Sequence, residues 1–177
     1  MDESGFMLQP VVRRTWAPVG QTPIHYSWDR HDRLSVISAI TLSPKQGRPG
    51  VYFDIHPENI DTPKVVEFIA KLRRTLGRRL LVIWDGWSVH KSAARLLRKR
   101  FPKTVFTECL PPYAPELNPV EQVWSHTKYA DLANFIPNDL EHLALATWLS
   151  LTKKHYDPDL VRSFIDHTGL DITPAIH

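Results

Sequence analysis

The sequence has 177 residues, 42% hydrophobic and 23% charged, with 22 lysines and arginines against 19 aspartates and glutamates, which predicts one ordered globular domain and excludes a largely disordered chain. A single cysteine, Cys109, excludes an internal disulfide and a thiolate zinc site, while the net charge of +3 permits a nucleic-acid partner without requiring one. No run approaches the ~18 to 20 apolar residues of a membrane span, and the start lacks a secretory signal, so we expect a cytoplasmic protein.

The first third of the chain predicts three strands separated by a long loop. Residues 6–8 end a first strand, and alternating apolar residues predict two more, Arg33–Leu42 and residues 51–56, which pair as consecutive strands of a meander. The turn between these two is rich in proline and glycine: Pro44, Gly47, Pro49 and Gly50. The proline-rich residues 10–23 form a loop or arm. This arm carries two arginines and a tryptophan, Arg13, Arg14 and Trp16.

A helix follows, because Thr62 can cap its N-terminus, Pro63 suits the first helical position and Gly77 ends it. Its apolar face contains Val65, Ile69, Leu72 and Leu76. The continuous apolar run Leu80–Trp84 then predicts a central strand that is buried on both faces. Asp85 therefore lies at the carboxyl end of that strand.

The chain beyond Asp85 predicts a second helix and a further strand before a proline-rich loop. The apolar side of this helix contains Ala94, Leu97 and Phe101. Its basic side contains Lys91, Arg95 and Arg98. Residues 104–110 form the next strand. The loop that follows leads to Asn118 and Pro119, a helix cap and a first-turn proline, which place Glu121 in the first turn of a third helix.

Two more helices close the chain within about residues 138–170. Asn138 caps the first, and Asp157 with Pro158 opens the second. Their apolar faces contain Leu140, Ala144, Thr147, Leu151, Leu160 and Phe164. This order of elements predicts an α/β fold of the ribonuclease H-like kind, a mixed sheet with a three-strand meander plus parallel strands, flanked by helices. Residues 1–177 form one such domain.

Three acidic residues lie where strands or helices begin or end in this arrangement, Asp2, Asp85 and Glu121. Phosphodiester transfer needs charge neutralisation at the attacking and leaving oxygens, which two divalent ions about 4 Å apart provide when carboxylates hold them. Because the first and central strands are neighbours in a sheet of this order, the three acids can converge. Each also has a structural interpretation: Asp2 as a solvated terminal residue, Asp85 as half of an Asp-Gly turn, and Glu121 as part of a capping box with Asn118.

Four segments resemble successive motifs of a known family. They are residues 1–6 (MDESGF), 14–20 (RTWAPVG), 83–91 (IWDGWSVHK) and 110–121 (LPPYAPELNPVE). On these motifs the chain is similar, from Asp2 to about Trp124, to bacterial insertion-sequence transposases of the mariner superfamily, which are DDE endonucleases. The last motif is the most specific, and the 35 residues between Asp85 and Glu121 resemble the interval between the second and third acids of these enzymes.

The resemblance implies a ribonuclease H-like fold and a function in DNA transposition. Asp2, Asp85 and Glu121 match the Asp-Asp-Glu triad that binds Mg²⁺ or Mn²⁺, expected as two ions, for strand cleavage and strand transfer. The implied partners are transposon-end and target DNA and, in the active state, further copies of the same chain. Helix-turn-helix DNA-binding domains precede the core in this family. Because one residue precedes Asp2, we expect that domain to be absent or supplied by a separate polypeptide.

Basic and aromatic residues are the candidates for DNA contact. In the arm, Arg13, Arg14 and Trp16 combine guanidinium groups with an indole, which suits phosphate contact and stacking. The second candidate is the basic side of the second helix, Lys91, Arg95 and Arg98, for which a plain solvated face is the alternative. His90 matches a histidine of the third motif and is assigned to the site or to DNA, with a satisfied structural role as the alternative. The tryptophans assigned to the core are Trp84, Trp124 and Trp148.

Three other functions remain open on the sequence: another ribonuclease H-like metal-dependent nuclease, an inactive DNA-binding remnant of a transposase, and a plain interaction domain. A nuclease would hydrolyse DNA without joining it, and a remnant would bind DNA without requiring metal. No Walker-type phosphate loop, Gly-x-Gly-x-x-Gly turn or Gly-x-Ser-x-Gly elbow supports a nucleotide-binding or hydrolase function.

Overall fold

The computed structural model describes residues 1–24, 26, 32–43 and 48–170. Strands β1 (Asp2–Met7), β2 (Arg33–Leu42) and β3 (Pro49–His56) form an antiparallel sheet in that order, which confirms the predicted meander. Pro49 and Gly50 open β3, where they pair with the end of β2, and are not turn residues. The other two predicted turn residues, Pro44 and Gly47, lie outside the described residues. Strand β1 begins at Asp2, so Asp2 is itself a strand residue.

Helix α1 (Thr62–Leu76) ends where the sequence predicts, because Gly77 adopts the left-handed conformation, φ 61°, that glycine tolerates best. The N-cap is Asp61, however, and not Thr62. Asp61 is extended, and its side chain accepts from the backbone N–H of Lys64 at 3.0 Å. A capping residue must lie outside helical backbone geometry, and Thr62 is already helical.

Strand β4 (Leu80–Trp84) pairs in parallel with β5 (Val105–Cys109), and helix α2 (Ser88–Arg100) connects them. The predicted burial of β4 on both faces is wrong, since Leu81 is 61% exposed and Ile83 is 47% exposed. The apolar run alone could not indicate which face the helices cover. Val82 and Trp84 lie on the buried face of β4, in the same apolar core as residues of α1 and α2.

Strands β1 and β4 meet at their ends rather than along a ladder. Among the described residues they belong to separate hydrogen-bonded sheets. The Met1 nitrogen donates to the Ile83 carbonyl oxygen at 2.7 Å. The expected neighbourhood of the two strands therefore holds only here, at the point that brings Asp2 close to the end of β4.

The C-terminal third is helical: a 3₁₀ turn (Pro115–Leu117), α3 (Val120–His126), a π-helical turn (Thr127–Asp131), α4 (Leu140–His155) and α5 (Pro158–Asp166). The sequence pattern did not predict the π-helical turn. Asp157 caps α5 as predicted. The cap of α4 is Asp139 and not Asn138, because Asp139 is extended and accepts from the His142 N–H at 2.7 Å. Trp124 is buried, but Trp148 is 49% exposed on the outer side of α4 and does not belong to the core.

Two apolar cores lie on opposite faces of the β1-β2-β3 sheet. Core A joins the sheet to α1, α2 and β4, and core B joins it to α3, α4 and α5. In β2, Ile37 belongs to core A and Val36 to core B, as the two-residue period of a strand requires. In β1, Phe6 belongs to core B, so the same period directs Asp2 towards α3 and Glu3 towards α2. No helix within the described ranges is long and apolar enough to cross a membrane.

Candidate active site

The three acidic residues singled out by the sequence line one cavity of about 270 Å³. Asp2 contributes from β1, Asp85 from the loop after β4, and Glu121 from α3. The loop between β5 and the 3₁₀ turn closes another side. Its lining residues are Leu110, Pro111, Pro112, Tyr113, Ala114 and Pro115. The structure therefore brings the three carboxylates to one place, as their positions at element ends predict.

The Asp2 carboxyl group lies in a partly buried part of this cavity. The indole N–H of Trp124 donates to its Oδ2 at 3.0 Å. Burial and the neighbouring charge of Glu121 nevertheless raise the pKa of Asp2 to about 7, against the Trp124 hydrogen bond that lowers it. Two carboxylates that share one partly desolvated site cannot both ionise without cost. The cavity thus carries negative charge that lacks full compensation from the protein.

Asp85 is held by one oxygen. Its Oδ1 accepts from the Trp87 backbone N–H at 2.9 Å and contacts His90 Nδ1 at 2.6 Å. The first bond is the local turn that an Asp-Gly pair favours, so the structural interpretation of Asp85 is realised as well. Among the described residues no donor reaches Oδ2. Asp85 is 55% exposed, which leaves that oxygen available to a ligand in the cavity.

Glu121 lies in the first turn of α3, but the capping box is not formed. The N–H of Asn118 donates to the Pro115 carbonyl at 2.9 Å, so it is not paired with the Glu121 carboxylate. The helix begins at Val120, with Pro119 in the cap position, yet Asn118 still caps it from one residue earlier. Its Oδ1 accepts from the Val120 N–H at 3.3 Å and its carbonyl accepts from the Glu121 N–H at 3.0 Å. The Glu121 side chain is exposed at the cavity.

Lys128 is a cation near two of the acids that sequence reasoning missed. Burial lowers the pKa of Lys128, and the charges of Glu121 and Asp2 oppose this effect. Its Nζ donates to the Ser4 hydroxyl at 2.7 Å and lies 5.1 Å from the Phe6 ring centroid. The available signal was its position seven residues after Glu121, which places both on one side of a continuous helix.

His90 and Glu3 form a buried pair behind Asp85. The His90 side chain has 0% exposure, and its Nε2 lies 3.0 and 3.1 Å from the two Glu3 carboxylate oxygens. Burial lowers the pKa of His90, but the hydrogen bonds and charges of Glu3 and Asp85 outweigh it, so the net pKa is raised. The His90 ring is fully buried in this structure, where it contacts Asp85 and Glu3, and its assignment to DNA contact stays a prediction. Sequence reasoning missed Glu3, although strand alternation next to Asp2 directs it to this side.

The other predicted DNA-contacting residues lie outside the carboxylate cavity. Arg13, Arg14 and Trp16 are exposed, Trp16 fully, and residues 10–23 contain no helix or strand, as expected. The arm is fastened near Arg13, whose N–H donates to Asn134 Oδ1 at 2.8 Å and whose guanidinium lies 4.8 Å from the Tyr129 ring centroid. A second cavity of about 720 Å³ includes Arg13 and Arg14. On α2, the exposed basic side contains Lys91, Arg95 and Arg98.

The carboxylate cavity fits a hard divalent cation by its chemistry. Asp2, Asp85 and Glu121 offer the oxygen donors that Mg²⁺ and Mn²⁺ prefer. A bound cation would also remove the repulsion that raises the pKa of Asp2. Within the described ranges, no three acidic, histidine or cysteine side chains already stand close enough to hold one ion. Tight coordination would therefore require the side chains to draw together around the ion.

Comparisons with known proteins identify the family of the chain. A family model described as DDE superfamily endonuclease matches residues 1–143. An uncharacterized protein of Sinorhizobium fredii, y4pE/y4sA, is 32% identical over 98 residues, which cover 51% of this chain and 68% of that protein.

The fold is similar to that of Mos1 transposase. A paired-end complex with left transposon end and a pre-cleavage transpososome each match with a TM-score of 0.56 at 14% identity. Each match covers 95% of this chain and 54% of the Mos1 chain, so the chain spans about half the length of that transposase. This likeness confirms the predicted ribonuclease H-like arrangement, in which a three-strand antiparallel meander and parallel strands are flanked by helices.

Proposed function

The chain belongs to the DDE superfamily endonucleases, and from this premise we propose that it is the catalytic core of a DNA transposase that cleaves and joins DNA strands. The observation that carries the proposal is the meeting of Asp2, Asp85 and Glu121 around one cavity. Their placement on three separate elements favours a built site over three unrelated surface acids. The resemblance of the sequence motifs supports a place for the chain in the insertion-sequence branch of the mariner superfamily.

In this proposal Asp2, Asp85 and Glu121 hold two Mg²⁺ or Mn²⁺ ions. The ions would supply activation of the attacking oxygen and stabilisation of the leaving oxygen in an in-line displacement at phosphorus. Asp2 is oriented by the Trp124 indole, and Asp85 by the Trp87 N–H and His90. Lys128 lies on the α3 side, where its charge counters that of Asp2 and Glu121.

DNA would reach the cavity along basic surfaces on two sides of the chain. The arm offers Arg13, Arg14 and the exposed indole of Trp16 for phosphate contact and stacking. The outer side of α2 offers Lys91, Arg95 and Arg98. The solved structures that match this fold include complexes of Mos1 transposase, one of them with the left transposon end, which supports DNA as the substrate. We assign end recognition to a helix-turn-helix domain that acts together with this core, and we expect several copies of the chain in the active complex.

A strand-transfer assay tests the proposal. Labelled duplexes with the terminal sequences of the encoding element are incubated with the chain and with a helix-turn-helix partner, in Mg²⁺, Mn²⁺ or chelator. We expect metal-dependent nicking and joined products, both lost in Asp85→Asn and Glu121→Gln. Glu116→Gln is the matched control, because Glu116 is an exposed acid close to α3 that does not line the cavity.

The outcomes separate the possible functions. Cleavage without joined products would identify a nuclease of the same fold. Binding of DNA with no metal-dependent cleavage under any of these conditions would identify an inactive remnant. Activity that survives Asp85→Asn or Glu121→Gln would overturn the assignment of these residues.

A further inference from the structure

The buried group behind the cavity, His90 with Glu3, is not explained by packing alone. A buried histidine with a carboxylate on each ring nitrogen is costly unless all three groups are matched in geometry. Here Nδ1 lies 2.6 Å from Asp85 Oδ1, and Nε2 lies 3.0 Å from Glu3 Oε2. An ionised carboxylate only accepts hydrogen bonds, so the Nδ1 nitrogen of His90 donates to the Oδ1 oxygen of Asp85.

Two tryptophans hold the His90 ring in this orientation. The Trp84 indole stacks on it with a centroid distance of 4.8 Å and an interplanar angle of 1°. The Trp87 ring meets it edge-on, at 5.4 Å and 86°. Trp84 ends β4 and Trp87 immediately precedes α2, so the clamp is built from both sides of the loop that carries Asp85. A half-turn of the ring in its plane would break both hydrogen bonds, and a tilt of the ring would disrupt both aromatic contacts.

Glu3 fixes the far side of the ring from a rigid element. It lies on β1 and pairs with Ile37 of β2, the central strand of the three-stranded sheet, and its side chain is 12% exposed. Because Asp2 and Glu3 are consecutive strand residues, β1 directs one carboxylate into the cavity and the other against the back of His90. One strand thereby sets the position of Asp2 directly and that of Asp85 through His90.

We propose that His90, anchored by Glu3, is a positioning residue that holds Asp85 Oδ1 and so presents Oδ2 to a divalent cation in the cavity. This inference rests on the proposed function, since it assigns Asp85 to a metal site. Ligands of a metal commonly depend on such outer partners, whose removal weakens metal affinity by about 10- to 100-fold. His90 itself does not coordinate the cation.

Two substitutions at His90 separate positioning from mere packing. In His90→Asn the amide nitrogen replaces Nδ1 and can still donate to Asp85, whereas in His90→Gln it replaces Nε2 and faces Glu3. Both remove the ring, so both reduce stability by a similar amount. A packing role alone predicts equal effects on metal affinity. Positioning predicts that His90→Gln weakens metal affinity much more than His90→Asn does.

The test is Mn²⁺ binding to the full chain without DNA, followed by the free-ion electron paramagnetic resonance signal, with folding checked by circular dichroism. We expect His90→Gln to bind Mn²⁺ about 10-fold or more weaker than the wild type, with His90→Asn in between. Glu3→Gln keeps a similar shape and removes the anchoring charge, and it should also weaken binding. If both His90 variants fail to fold, the Mn²⁺ affinity of Glu3→Gln alone tests the positioning role. Glu116→Gln should bind like the wild type, and Asp85→Asn should abolish binding.

Equal affinity of His90→Gln and His90→Asn would overturn the positioning role, and so would a Glu3→Gln variant that binds Mn²⁺ as tightly as the wild type. These results would leave the proposed function intact, provided that Asp85→Asn abolishes binding. A wild-type chain that binds no Mn²⁺ and shows no metal-dependent cleavage would instead overturn the proposed function and this inference together.

Discussion

Replacing Asp2 by asparagine should stabilise the metal-free protein at pH 8. Burial and the charge of Glu121 raise the pKa of Asp2 from 3.8 to about 7. The folded state therefore holds a proton on Asp2 over a pH range in which the unfolded chain has released it. The free energy of unfolding of the wild type is therefore highest below about pH 4. It falls as the pH rises towards 7, because ionised Asp2 is less favourable in the folded state, and it is constant at higher pH. Asparagine is neutral throughout and keeps an oxygen that can accept from the Trp124 indole.

The size of the effect follows from the two pKa values. The interval from 3.8 to about 7 corresponds to about 4 kcal/mol at roughly 1.4 kcal/mol per pH unit. We expect Asp2→Asn to raise the free energy of unfolding by about 2 to 4 kcal/mol at pH 8 and by almost nothing near pH 4. Most substitutions of partly buried residues destabilise, so a stabilising change here would be diagnostic.

Urea denaturation of wild type and variant from pH 4 to pH 8, with chelator present, measures this difference. Saturating Mg²⁺ should then stabilise only the wild type, by about 2.7 kcal/mol at one hundred times the dissociation constant. The difference in free energy of unfolding between Asp2→Asn and the wild type should therefore become smaller. A variant that is less stable than the wild type at pH 8, or a gap that does not change with pH, would refute the electrostatic reasoning.

Three further predictions concern the surroundings of the site. Trp124→Phe should raise the pKa of Asp2 further, because it removes the hydrogen bond that lowers this pKa. A ¹³C NMR titration of the Asp2 carboxyl group measures the change, and an unchanged pKa would contradict the prediction. Asp131→Asn should cost about 3 kcal/mol in urea denaturation at pH 7, because the ammonium of Lys154, 1% exposed, would no longer face a charged carboxylate; a cost near zero would contradict a buried ion pair. Alanine at both Arg13 and Arg14 should weaken DNA binding equally for different DNA sequences. The slope of log affinity against log salt concentration should become shallower by about one for each phosphate that the protein no longer neutralises. Fluorescence anisotropy measures both effects, and a loss of affinity that depends on the DNA sequence would exclude a role limited to phosphates.

Residues that end helices or form turns, together with the periodicity of apolar residues, account for most of what could be predicted of the fold. Gly77 marks the end of α1, and alternation in residues 33–42 matches β2. The two wrong caps share a cause: Asp61-Thr62 and Asn138-Asp139 each place two good capping residues side by side. Which one becomes the cap depends on where the backbone turns helical, and composition does not encode that choice.

Burial was harder to predict than secondary structure because it depends on distant packing. The apolar run of β4 is compatible with one or two covered faces, and only the position of the helices decides that Leu81 and Ile83 remain exposed. The same holds for Trp148, whose neighbour Thr147 is fully buried. A one-residue step around a helix separates the core from solvent.

The candidate site also has a part that the sequence predicts and a part that depends on tertiary packing. Motif spacing singled out Asp2, Asp85 and Glu121, and the structure brings them to one cavity. The contacts of the supporting residues could not be predicted from local patterns, because Glu3 meets His90 across 87 positions and Trp124 meets Asp2 across 122. Such partners become visible only when β1, α2 and α3 are assembled.

The most direct test of the metal site is an anomalous diffraction map of crystals of the full chain soaked with Mn²⁺. We expect a manganese peak in the cavity, with carboxylate oxygens of Asp2, Asp85 and Glu121 within about 2.3 Å of the ion positions. The peak should disappear in Asp85→Asn crystals. A cavity without manganese at saturating concentration, or manganese bound there without Asp85, would contradict the assignment of these three residues.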